Sequence, residues 1–180
     1  MSTRAGHEEP SPDISTWAMA RLWGLAGEAE GQQLEVVRVA AQGRAYRSGE
    51  SREARRQWAR LSLHANRRLR ENDPRQRARA DHLDFMLRTW VIDHLGPDED
   101  EPDFAPETLA SDTLAALALT PADARALAVN WCQLPVDQIQ ELRRHKNLTA
   151  HLSTLANYLQ LGPSRDQLLI WLQTREELPG

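Results

Sequence analysis

Residues 51–95 read SREARRQWARLSLHANRRLRENDPRQRARADHLDFMLRTWVIDHL, and their spacing decides the fold class. Ala54, Trp58, Leu61, Ala65 and Leu69 recur every three or four residues, which draws one apolar stripe along a helix over 51–72. At about 100° per residue, Arg52, Arg56, Arg60, Arg67 and Arg70 gather on the opposite side. Asp73-Pro74 ends that helix and starts the next, because proline disfavours helical geometry in the residue before it while suiting a first helical position. The second helix is expected to run to Leu95, where Gly96-Pro97 stops it. A loop this short predicts an antiparallel hairpin.

The second helix is too apolar for one buried stripe. Leu83, Phe85, Met86, Leu87, Trp90, Val91, Ile92 and Leu95 span most of its circumference. Such a helix is either sandwiched between several elements or buried against another chain. Phe85, Trp90, Val91 and Ile92 are the expected partner interface, in a homodimer or with a different protein.

The hairpin also concentrates charge. Arg44 to Arg79 holds 12 of the 21 arginines and no lysine, against Glu50, Glu53, Glu71 and Asp73. Residues 44–95 carry a net charge of +6, whereas residues 96–180 carry −7. This asymmetry points to an oriented partner surface. Part of the run is an ordinary solvated face. Arg67, Arg68 and Arg70 sit in a last helical turn, where cations are stabilising by about 0.3–1 kcal/mol each. Arg75 and Arg77 sit in a first turn, where positive charge is unfavourable and free backbone N–H groups attract anions. Arginine without lysine favours bidentate contacts to phosphate or carboxylate, although a GC-rich genome produces the same bias. The expected nucleic-acid contacts are Arg52, Arg55, Arg56, Arg60, Arg67, Arg70, Arg75 and Arg77.

Outward from the hairpin the chain stays helical. Asp13 is placed to cap a helix reaching about Ala26, with Trp17 and Trp23 read as core. In 28–42, Leu34, Val36, Val37 and Val39 are β-branched enough for a strand, but the Glu and Gln flanks and Ala40-Ala41 before Gly43 favour helix. Residues 97–107 change composition abruptly, with three prolines and six acids. They read as a solvated acidic linker. It leaves the hairpin at the end where the first helix begins, so it is expected to shield Arg52, Arg55 and Arg56. Short helices follow at about 107–118, 121–132, 136–145, 148–160 and 164–177. The expectation is an all-α helical bundle in three parts: an N-terminal helical region 1–96 with the basic hairpin, the linker 97–107, and a small helical subdomain 108–180.

The run Leu119-Thr-Pro-Ala-Asp-Ala-Arg-Ala-Leu-Ala128, then Leu134-Pro135, Leu142 and Leu148, resembles the small helical subunit of the flagellar master transcription activator (FlhD). The likeness implies a helical subunit acting in a complex with a DNA-binding partner. It covers residues 119–148 only, and no functional residue is carried over from it.

Other chemistries find no support in the sequence. Cys132 is alone, so no disulfide framework or multi-cysteine zinc site exists within the chain, and beside Trp131 it reads as a small buried apolar residue. His82 and His94 lie twelve positions apart on one helix, about 120° around it, so no single ion bridges them. Asp84 and Arg88 read as an i,i+4 pair. No nucleophile elbow or phosphate-binding glycine pattern occurs. A helix–turn–helix over Val136–Tyr158 is disfavoured by Arg143 and Lys146, which fall where its helices would pack. Neither a leader peptide nor a spanning helix is expected near the N-terminus, and the single cysteine fits a cytoplasmic location. The sequence therefore predicts a non-enzymatic regulatory or assembly subunit without catalytic residues, metal, cofactor or small-molecule substrate. It would contact nucleic acid, possible roles including transcription regulation. An adaptor or chaperone that never touches nucleic acid is the alternative.

Overall fold

A computed structural model describes residues 17–179. The helices are α1 (Met19–Glu28), α2 (Gly31–Ala45), α3 (Arg52–Asn72), α4 (Arg77–Leu95), α5 (Pro106–Ala116), α6 (Pro121–Ala128), α7 (Val136–Thr149), α8 (Leu152–Ala156) and α9 (Pro163–Arg175), with single 3-10 turns at Pro74–Gln76 and Trp131–Gln133. The protein is all-α, with no strand among the described residues.

Local chemistry explains the boundaries of the central helices. The Ser51 hydroxyl accepts the Ala54 N–H at 3.2 Å, and Glu53 sits in the first turn, where its charge favours the helix start. The Asp73 carboxylate accepts the Arg75 N–H at 3.0 Å, which organises the turn into α4. Gly96, at φ 84°, ends α4 in a conformation that other residues adopt only with strain. Thr120 caps α6 by accepting the Asp123 N–H, with Pro121 in the first turn.

The region over 28–42 is helical, as α2. The Asp13 cap lies outside the described residues, and α1 starts only at Met19. Three boundaries differ from the periodicity. The expected helix over 121–132 breaks into α6 and a 3-10 turn. The segments expected at 136–145 and 148–160 are instead one longer helix, α7, and a five-residue α8. Leu142, His145, Leu148 and Thr149 face the core together, so burial carries α7 past the expected break.

Packing places α4 at the centre. It meets α3 on one side and α5, α7 and α8 on the others, while α2 packs along α3 and α9 touches α5 through α8. One cluster of buried apolar side chains runs from Leu22 to Leu178. Phe85, Val91 and Ile92 are 6%, 0% and 0% exposed within this single chain. Their breadth therefore comes from the sandwich, and they are not a free partner surface. Trp90 alone of the four is half-buried, with its ring against Tyr46 at 4.4 Å and His94 at 4.9 Å. Cys132 also departs from expectation: the 3-10 turn holds it exposed rather than in the core.

The acidic segment 97–107 is not a solvated tether. Backbone bonds Asp98 N–H to Phe104 O (3.1 Å), Glu101 N–H to Asp98 O (3.3 Å) and Phe104 N–H to Glu101 O (2.8 Å) fold it into a tight strap. Phe104 is fully buried and joins the core cluster. An aromatic side chain among the acids anchors what composition alone reads as linker.

Candidate nucleic-acid interface

Six of the eight arginines singled out by the sequence divide into two groups, and Arg52 and Arg55 belong to neither. Along the long face of α3, Arg56, Arg60 and Arg67 meet the strap in order. Arg56 bonds Asp98 at 3.2 Å and donates to the carbonyls of Leu95 (3.1 Å) and Gly96 (2.9 Å), so it caps the C-terminus of α4. Arg60 forms a two-pronged pair with Glu101, and that bond, against the cost of burial, raises its pKa. Arg67 holds Asp103 with two bonds (2.6 and 3.1 Å) and Asp84 with a third (3.1 Å). Burial opposes the Arg67 charge, but Asp103 and Asp84 more than offset it and its pKa is raised. Eleven residues separate Arg56 from Arg67, roughly 16 Å of helix, and the strap follows the whole distance.

The expected shielding of Arg52, Arg55 and Arg56 is thus correct only for Arg56. Arg55 instead donates to the Ala45 carbonyl at 2.9 Å and lies over the Trp90 ring at 5.2 Å, while Arg52 is exposed. The strap runs on along α3 because Arg88, only 3% exposed, pins its far end. Arg88 donates to the carbonyls of Asp103 (2.8 Å) and Pro102 (3.3 Å) and pairs with Asp112 at 2.8 Å. The expected Asp84–Arg88 pair is present at 3.5 Å. Burial pushes the Asp84 carboxyl up despite its two arginine neighbours.

The second group sits at the tip of the hairpin. Arg75 and Arg77 are exposed, and their side chains have no hydrogen-bond or ion-pair partner among the described residues. No acid lies in the first turn of α4, and its N-cap residue Gln76 makes no side-chain cap bond. Arg70 stands beside them, half-exposed, with one bond to the buried Asp81 at 3.0 Å. Arg79 is 60% exposed and pairs with Glu35. Arg47 and Arg52 are likewise exposed with side chains unpartnered among the described residues, but the tip gathers four arginines, Arg70, Arg75, Arg77 and Arg79.

Sequence reasoning missed Arg144 of α7, which bonds Asp81 at 3.4 Å and Glu141 at 2.9 Å. No periodicity could have brought a residue sixty-three positions away to Asp81. The histidines scatter: His94 stacks on Trp90, whereas His82 lies 5.4 Å from His151. Among the described residues no group of three or more His, Cys, Asp or Glu is arranged to hold a metal ion. A separate feature is the apolar stretch from the end of α6 to the first residue of α7, where Val129 is 78%, Trp131 38% and Val136 69% exposed.

Family models, curated proteins and solved structures contain no match to this chain. Among the described residues no helix is long and apolar enough to cross a membrane.

Proposed function

We propose that the protein is a non-enzymatic regulatory or assembly subunit that contacts nucleic acid through the tip of the α3–α4 hairpin. The observation that carries this reading is the pair Arg75 and Arg77, exposed and with unpartnered side chains at a helix start whose first turn holds no acid, so that their charge is locally unfavourable. An anion there would receive their guanidinium donors. Arg70 and Arg79 widen the contact. The long face of α3 takes no direct part, because its arginines hold the strap.

A role in transcription regulation, in the cytoplasm, extends the reading through the resemblance of residues 119–148 to the FlhD-type subunit. The test is a mobility shift with labelled DNA and RNA. The double variant Arg75→Gln/Arg77→Gln should lose most of the binding, while Arg52→Gln should lose little. Equal binding by the double variant and the original chain would reject the tip.

A second reading has its own observation. Val129, Trp131 and Val136 expose apolar surface on one short stretch, as a protein-binding adaptor would. An adaptor without nucleic-acid contact would show no shift at low salt.

A further inference from the structure

A cleft of ≈ 500 Å³ opens beside the hairpin tip, walled by α3, α4, α5, α7 and the strap. That is within the range of roughly 300–1,000 Å³ typical of small-ligand sites. Five arginines and five acids make up two-thirds of its lining, with Phe85, Pro102, Thr108, Ala115 and Ala116 as the remainder, so hydrogen-bond capacity decides what it can hold. The acids are largely engaged: Asp84 lies between Arg67 and Arg88, Asp103 takes two bonds from Arg67, and Asp112 pairs with Arg88. Exposed Glu71 on the rim is the acid left over. Three of the arginines keep unused donors. Arg70 uses one N–H on Asp81, Arg144 divides itself between Asp81 and Glu141, and the Arg77 side chain bonds nothing among the described residues.

Asp81 holds two of those three. Its carboxylate is 5% exposed, with Arg70 of α3 on Oδ1 at 3.0 Å and Arg144 of α7 on Oδ2 at 3.4 Å. Arg77 lies four residues before Asp81 on α4 and therefore on the same face. Two guanidiniums from two helices thus hold one buried carboxylate, and a third, Arg77 of α4, lines the same cleft.

We propose that this cleft is a phosphate seat in which Arg70, Arg77 and Arg144 grip the dianion of a phosphomonoester. Donors arriving from three helices suit a tetrahedral oxyanion better than a planar carboxylate, which a single arginine fork already matches. The phosphate comes either from a free small molecule or from the end of a nucleic-acid strand. Only the second source rests on the function proposed above.

The test is calorimetry on the full chain with inorganic phosphate, adenosine 5′-monophosphate, adenosine, and matched oligonucleotides carrying a 5′-phosphate or a 5′-hydroxyl. Saturable binding of phosphate and the monophosphate, but not adenosine, is expected. Arg144→Gln should weaken it by about tenfold or more, the loss of one charge-assisted bond. Arg77→Gln should weaken it similarly with an unchanged melting temperature, since that exposed side chain has no hydrogen-bond or ion-pair partner among the described residues, so a folding defect in the Arg144 variant would not obscure the answer. Arg47→Gln, away from the cleft, should match the original chain. A preference for the 5′-phosphate oligonucleotide identifies a strand end as the source; equal oligonucleotide binding beside a bound monophosphate identifies a small molecule. No binding of phosphate or monophosphate at millimolar concentration, or binding indifferent to both variants, overturns the seat. Bound monophosphate with neither oligonucleotide binding supports the seat while rejecting the nucleic-acid reading.

Discussion

Arg60 and Arg77 belong to the same hairpin and look alike in sequence, yet the fold uses them oppositely. Arg60 lies under the strap, in a paired geometry with Glu101. Arg77 stands exposed, one helix later, with no partner for its side chain. The difference is what each helix surface meets. The long face of α3 runs beside residues 98–103, whose acids neutralise it, whereas the tip projects past the strap's pinned end. A run of arginines is therefore a structural seam in one place and a free cationic surface in another.

That contrast breaks first at the pin. Arg88 joins the strap to α4 and α5 from a nearly inaccessible position. Arg88→Ala should lower stability by about 2–4 kcal/mol, because it leaves two strap carbonyls without their donor and takes one of two cations from buried Asp84. Chemical denaturation measures this, and a loss under about 1 kcal/mol would show that the strap is held some other way. Arg56→Gln should cost about 1–3 kcal/mol by removing charged bonds to Asp98 and the end of α4.

Acid probes a contact that belongs to neither group. Burial first, then the neighbouring charges of His82 and Arg175, lower the His151 pKa from 6.5 to about 4. The unfolded chain binds this proton near 6.5 and the folded chain only near 4, so protonation favours unfolding between those values. This contribution is complete above the unfolded value and falls away as pH drops toward about 4. His151→Gln should flatten the stability curve over that window. An unchanged curve would contradict the assignment.

The smallest expected effect on stability is at the tip. Arg75→Gln and Arg77→Gln should each stay within about 0.5 kcal/mol of the original chain, as exposed unpartnered side chains do. The same changes should remove most nucleic-acid binding. A seam residue does the reverse, and the pair of measurements on Arg56 and Arg77 separates the two roles.

The fold class was legible because it rests on local patterns. The stripe Trp58, Leu61 and Ala65 is buried as its spacing requires, and Gly96 stops α4 where its backbone freedom allows. What covers the opposite face was not legible. Helical periodicity tells which way Arg60 points but not that Glu101 lies there, forty-one residues later. Charge-rich composition likewise hid Phe104, a single buried ring that turns a linker into a strap. Phe85, Val91 and Ile92 were recognisable as buried, but whether their cover came from this chain or another depended on α5, α7 and α8 folding back.

The most direct test of the division between seam and tip is the salt dependence of nucleic-acid binding. Contacts limited to Arg70, Arg75, Arg77 and Arg79 give a log–log slope of about −3 to −4, at roughly 0.7–0.9 per phosphate contact. The account predicts a slope in that range, cut by about half in Arg75→Gln/Arg77→Gln, which keeps Arg70 and Arg79. A slope of about −6 or steeper would mean that the long face of α3 also binds after releasing its strap. That result, or no binding at low salt, would contradict the account.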